Sequence, residues 1–415
     1  MFKFLLMSLD IQKMIYENNQ KKTDLKIYQI TDNILERIKE VRRKIHSFPE
    51  LAFCETNTSR IIKEELSRLE KIKVFENYAE TTAVIGVING KLPGKTRAIR
   101  SDIDALSIEE KTELSFSSRK KGLMHACGHD AHIAILVGIA NVLCQLKGNF
   151  RGKMVLIFQP AEEGFAGAKF LVEKGLLEDF GISEIYGYHV YPGLPLHTLG
   201  IRTGVITSNS DKISIEIKFN KSKKINQKPT NLTLFCAHLL IAFQEVISRE
   251  IPSDEPGLIS IGKVDIQDKD LTIDSYAILQ GTVRTMSLKT RNLIESRLKE
   301  IFRSMGYFFN IDGNFRYSRG YTSVINEAGL TKNLTELGEI FWGKKRVLKI
   351  ENPLMMGEDF SFYSQKIPAC YFLLGMGGDY DLHSPYFLFN EDILFSSIAW
   401  TSYLLINMPF DTVNQ

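Results

Sequence analysis

Residues 124–163 read MHACGHDAHIAILVGIANVLCQLKGNFRGKMVLIFQPAEE. The stretch 131–147 is apolar and Ala-rich, and its length predicts a helix rather than a strand. The run 153–160 is apolar, short and closed by Pro160, which predicts a buried strand. A helix feeding a buried strand is the repeating step of a layered α/β sheet. The pattern continues outward in both directions. EIYGYHV at 184–190, TAVIGVI at 82–88, TRAIRS at 96–101 and ACYFLLGM at 369–376 read as strands. Helical spacing recurs at 33–47, at 56–69 behind the capping candidates Thr56 and Asn57, and at 391–406. The expectation is an α/β domain with a central mixed sheet flanked by helices.

Near residue 209 the texture changes. DKISIEIKF (211–219) alternates as a half-exposed strand does. A polar, Lys-rich stretch at 220–231 precedes a helix pattern at 232–250. Strand patterns at 258–266 and 275–286, a helix pattern at 289–305 and a strand pattern near 314–321 follow. Strand, helix, strand, strand, helix, strand is the order of a two-layer α+β, ferredoxin-like unit. Residues 210–318 are therefore expected as an insertion into a larger domain made of 33–209 and 319–415, with 1–32 as a polar lead-in.

The 415 residues contain 52 Lys and Arg against 49 Asp and Glu, a balance too even to argue for nucleic acid or a membrane surface. Five cysteines, an odd number with no CxxC pair, argue against a disulfide framework. The N-terminal apolar run is shorter than a signal peptide needs. A cytoplasmic protein without membrane or nucleic-acid partners is expected.

Three histidines and a cysteine fall within residues 124–132, although the whole chain has only eight histidines. In an extended chain Cys127 and His129 would face one site, with Gly128 permitting close approach. Thiolate and imidazole suit zinc or a similar divalent metal, whereas a buried Cys among hydrogen-bonded histidines is the plainer reading. Glu162 and Glu163 end an apolar strand. Adjacent acids there are costly to bury without a cation, and a turn after Pro160 would bring both to one cleft. One could then bind metal while the other acts as general base, or the pair could be a solvated turn. His189 ends a strand, His383 lies in DLHSP, and Asp102 and Asp104 follow a strand as period-two neighbours. Glu358 and Asp359 stand at a possible helix start. Each of these alone reads more simply as structural.

Taken together, RRKIHSFPELAFCE (42–55), RSDIDAL (100–106), MHACGHDAH (124–132), FQPAEEGFAGA (158–168), YGYHVYPGLPLHTLG (186–200), GTVRT (281–285), MGEDFSFY (356–363) and LHSPYFLFNEDIL (382–394) carry a resemblance. The chain resembles the metal-dependent amidohydrolases, a carboxypeptidase-like family that includes hippurate hydrolases, N-acyl-amino-acid deacylases and indole-acetyl-amino-acid hydrolases. The resemblance implies hydrolysis of N-acyl amino acids, small-molecule substrates, with two divalent metal ions, manganese or zinc. It implies Cys127 as the bridging ligand, His129 and His189 on one metal, and Glu163 and His383 on the other. Glu162 matches the catalytic base, and Asp104 a carboxylate that orients the site. It also implies a catalytic domain with a smaller inserted lid through which members often form homodimers.

The match fails at one place. The family's Gly-rich, His-bearing turn after the first lid strand is replaced here by FNKSKKINQ (219–227), without His or Gly. His238 nearby lies in a helix pattern and reads as structural. Lys221, Lys223 and Lys224 could supply the missing positive charge, or the run could be a solvated loop. Loss of one oxyanion donor typically costs on the order of 100–1,000-fold in rate. Two functions are therefore weighed: an N-acyl-amino-acid amidohydrolase, and a metal-binding homologue weakened in turnover that acts through binding or assembly.

Overall fold

A computed structural model describes residues 21–219, 231–267 and 275–409. Helices α1 (Lys21–His46) and α2 (Thr56–Ser67) come first. Strands β1 (Ile72–Tyr78), β2 (Ala83–Asn89) and β3 (Leu92–Asp102) precede α3 (His129–Gln145) and β4 (Arg151–Gln159). Helix α4 (Gly167–Glu173) then leads to β5 (Glu184–Tyr191) and β6 (Thr198–Ile201). Next come β7 (Asn209–Phe219), α5 (Leu232–Glu245), β8 (Gly257–Gln267), β9 (Ser275–Thr285), α6 (Leu288–Phe309) and β10 (Gly313–Arg319). The chain closes with α7 (Ala328–Trp342), β11 (Val347–Lys349), β12 (Ala369–Gly375) and α8 (Ile393–Asn407).

Contacts divide the chain into two units. The larger holds the described residues up to Gly204, Ile325–Glu351 and those from Phe362 on; the smaller holds Val205–Val324 and Asn352–Ser361. Helix α1 begins inside the stretch read as a lead-in. Its inner face, Ile27, Thr31, Leu35, Ile38, Val41 and Ile45, is buried at three- and four-residue spacing, so tertiary packing recruits these residues into the core.

In the larger unit eight strands form one mixed sheet in the order β1-β2-β4-β3-β5-β12-β6-β11. The central pairs β4–β3, β3–β5 and β5–β12 are parallel, whereas β1–β2, β2–β4 and β12–β6 are antiparallel. Central strands buried on both faces need continuous apolar runs, which is why β2, β4 and β12 read so plainly in the sequence. Helices α3 and α8 are buried almost all round and share one core with α1. Helix α7 and the short strands β1, β6 and β11 were not anticipated. The α7 signal is a stripe at Leu330, Leu334, Gly338 and Trp342 behind the Glu327 cap, whose carboxylate accepts from Leu330 N at 2.6 Å.

The smaller unit's sheet runs β10-β7-β9-β8, with every pairing antiparallel. That is the ferredoxin-like order, and α5 and α6 share its core. Among the described residues one helical stretch, Leu232–Glu250, is long and apolar enough to cross a membrane. Its Leu232, Phe235, Cys236, Leu239, Phe243 and Val246 belong to the core packed on this sheet.

Candidate metal centre

The larger unit gathers its polar residues at the C-terminal ends of its parallel strands, where an α/β sheet leaves a crevice. Asp102 ends β3 in register with Gln159, the last residue of β4. Asp104 and the Glu162–Glu163 pair therefore leave the sheet side by side. His189 lies near the end of β5, beside Leu373 of β12. The loop after β12 returns His383 to the same edge, where its backbone N–H donates to Ala126 O at 2.8 Å.

Two tight turns aim the side chains. Gly128 has φ +81, and a Cβ there would sit 2.8 Å from Val190 Cγ2. His129 is already the first residue of α3, so Cys127 and His129 converge through a left-handed turn and a helix start, not through the pleat of an extended chain. After β4, Ala161 is left-handed (φ 61), Glu163 leaves helical geometry (φ −70, ψ 73) and Gly164 has φ 85. Gly167 closes the turn, donating to Ala161 O at 3.0 Å; a Cβ at 167 would lie 1.8 Å from Pro160 O. The turn thus brings two adjacent acids to one side. Glu162 is buried and Glu163 partly so.

Two groups of potential ligand atoms share Cys127. One is Cys127, His129 and His189; the other is Cys127, Glu163 and His383. Cys127 Sγ lies 3.4 Å from His189 Nε2 and 3.3 Å from His383 Nε2. Glu163 Oε1 lies 3.4 Å from His383 Nε2 and 3.9 Å from His129 Nε2. Metal–donor bonds of about 2.0–2.3 Å at a tetrahedral angle place two donors on one cation roughly 3.3–3.7 Å apart. A thiol has a single proton, so protein hydrogen bonding satisfies at most one of the two nitrogens as its acceptor. Among the described residues His129 Nε2 and Glu163 Oε1 have no hydrogen-bond partner although both are buried, and buried polar atoms are normally paired. Spacing, donor chemistry and orphaned atoms all fit a pair of divalent cations.

The surroundings orient these donors. His129 Nδ1 donates to Asp104 O at 2.9 Å and His189 Nδ1 to Val190 O at 2.6 Å, which turns each Nε2 toward the cluster. Asp104 Oδ2 accepts the Glu163 backbone N–H at 2.9 Å. Burial opposes charge on His129, but Asp102, Asp104 and Glu163 outweigh it and lift its pKa to about 10. Burial, reinforced by Glu163, Glu162 and Asp102, pushes the Cys127 thiol well above its ordinary range. Burial and His132 push His189 well down. Glu163 is held low because His383 and His129 overcome its burial. Asp102, Asp104, Glu162 and Glu163 thus crowd around His129 and Cys127, where a cation would meet their carboxylates.

Sequence reasoning missed a buried tier beneath these residues. Asp102 accepts from His132 Nδ1 at 2.6 Å and from Arg100 Nη1 at 2.7 Å, and His132 Nε2 accepts from Val190 N at 3.0 Å. His132 is therefore fully engaged as a brace. Its signal was its place one helical turn after His129. His125, the first histidine of the motif, is buried near His46, with ring centroids 6.4 Å apart. His238 packs near Phe309 in the smaller unit.

Residues 98–406 match the peptidase family M20/M25/M40. The chain belongs to that family. It is 34% identical over 364 residues to thermostable carboxypeptidase 1 of Saccharolobus solfataricus, covering 86% of this chain and 91% of that one. It is 32% identical over 368 residues to N-acetyl-L-cysteine deacetylase of Bacillus subtilis, covering 88% and 85%. A crystal structure of a Bacillus subtilis dinuclear metal-binding peptidase of family M20 superposes with TM-score 0.76 at 30% identity, covering 90% of this chain and 98% of that one. The M20/M25/M40 match spans the centre described above, from β3 to α8.

Proposed function

We propose that this family member is a two-metal hydrolase that cleaves the amide bond of N-acyl amino acids. The observation that carries the reading is the pair of donor triads sharing Cys127 Sγ, with the buried carboxylate of Glu162 beside them. Cys127, His129 and His189 would hold one cation, and Cys127, Glu163 and His383 the other. Bound there, the cations supply Lewis acidity that lowers the pKa of a water and polarises the amide carbonyl. Glu162 takes a proton from the attacking water as its oxygen bonds to the carbonyl carbon. The C–N bond then breaks, and Glu162 passes that proton to the departing nitrogen. Asp104 keeps His129 and the Glu163 backbone in place throughout. Thiolate and imidazole donors favour zinc, and manganese is the other metal the reading admits.

The relatives named deacetylases support the substrate class, and those named carboxypeptidases make dipeptides the comparison to run. The inserted unit is read as a lid that pairs two copies into a homodimer, in a cytoplasmic protein. A second reading, metal binding with little turnover, is favoured by the absence of His and Gly from 219–227. Residues 220–230 lie outside the described residues.

The test is amine release from N-acetyl, N-benzoyl and indole-acetyl amino acids and from dipeptides. Protein loaded with zinc or manganese is compared with a chelated sample and with Glu162→Gln. Chelator-sensitive release that vanishes in Glu162→Gln at unchanged metal content is expected. Equal residual rates in wild type and Glu162→Gln would overturn the enzyme reading.

A further inference from the structure

Two buried carboxylates grip the turn that carries Glu162, and only one of them, Asp104, belongs to the cluster of candidate ligands and their supports. The other is Glu55. Its side chain is fully buried; Oε1 accepts the Ala161 backbone N–H at 3.0 Å and Oε2 accepts Thr82 Oγ1–H at 2.6 Å. Asp104 takes the N–H of Glu163. Residue 162 is thus suspended between two backbone N–H groups, each held by a carboxylate.

The grip has work to do. Ala161 is a non-glycine residue at φ 61, a conformation that costs roughly 1–2 kcal/mol unless its surroundings impose it. Its N–H is buried and, with the turn folded, has no strand to pair with. Glu55 is well anchored to impose the turn. It caps α2, its carbonyl accepting from Ser59 N at 2.9 Å, and the Ser59 hydroxyl in turn donates to Thr82 O. Helix α2, the start of β2 and the turn after β4 are therefore stitched together at one carboxylate.

We infer that Glu55 is a positioning residue for the reaction: it sets the left-handed turn at Ala161, and through it the direction in which Glu162 points. The inference rests on the reading of Glu162 as base. What the role requires is the reach of an acceptor oxygen, not negative charge. Glu55→Gln keeps the reach and loses the charge, whereas Glu55→Asp keeps the charge and is one methylene too short to hold both partners.

The experiment compares both variants with wild type in full-length, metal-loaded protein. A general base displaced by about 1 Å loses on the order of 10–100-fold in rate. Glu55→Asp should lose that much in kcat, with KM within about threefold and metal content unchanged. Glu55→Gln should stay within about threefold of wild type in both. The Ala161 amide should exchange its hydrogen faster in Glu55→Asp and remain protected in Glu55→Gln. Wild-type kcat in Glu55→Asp, or an equal fall in Glu55→Gln, would overturn the inference. A wild type without turnover would count against the proposed hydrolase alone. Amide exchange then decides, and equal protection of Ala161 in both variants overturns the positioning role.

Discussion

Replacing Glu55 by Gln should make the metal-free protein more stable at high pH. Burial, with a contribution from Asp104, lifts the Glu55 pKa from an ordinary 4.5 to about 7, against the opposing hydrogen bonds from Thr82 and Ala161. In the folded state this carboxyl keeps its proton over a range where the unfolded chain has lost it. Between pH 4.5 and about 7 the folded protein binds more protons, so stability falls as pH rises through that window. The gap between the two values, at 1.36 kcal/mol per pH unit, amounts to about 3 kcal/mol. Gln carries no such charge, and its oxygen and amide can still meet Ala161 N and Thr82 Oγ1. The advantage of Glu55→Gln should therefore be near zero at pH 4.5 and grow to about 1–3 kcal/mol at pH 8. Urea unfolding of both chelated proteins at half-unit pH steps reads this directly. A variant equally stable or less stable at pH 8, or a difference that does not change with pH, refutes the argument.

Other substitutions separate the site from the frame around it. Cys127→Ala removes the atom common to both triads, so elemental analysis should find both metals lost rather than one. Asp130→Ala strands two buried partners, since Asp130 Oδ2 accepts from Arg42 Nε and His46 Nδ1, each at 2.9 Å. Breaking that pairing should cost about 3–5 kcal/mol in denaturant unfolding. Retention of wild-type stability would show that Glu391, which also accepts from Arg42, suffices to hold it. Gly128→Ala forces a left-handed alanine whose Cβ meets Val190 Cγ2 at 2.8 Å. About 2–3 kcal/mol of stability should go, together with metal affinity, because the same turn aims Cys127 and His129.

The parts of this molecule that the sequence determined by itself are those whose signal is local. The buried strands β2, β4, β5 and β12 are short, largely apolar runs, as strands inside a helix-covered sheet are, and such runs need no partner to be recognised. The strand–helix order of the inserted unit is likewise written in its periodicity. The proposed roles of Cys127, His129, Glu162, Glu163, His189 and His383 come from the resemblance of several motifs taken together, not from any one segment read alone. What only the tertiary structure decided depends on contacts between distant segments. Helix α1 starts within a polar stretch because Ile27 finds the α3–α8 core. Cys127 faces His189 and His383 only because β5 and the loop after β12 end beside α3. Two adjacent glutamates share one side because Ala161 and Gly164 turn left-handed between a strand and a helix. Glu55 gives no sign in its own segment of what it does: its partner is an amide 106 residues away. Side-chain chemistry is carried by residue type and can be read in place. Position is set by backbone turns and by hydrogen bonds across the sheet edge, and those exist only once the chain has packed.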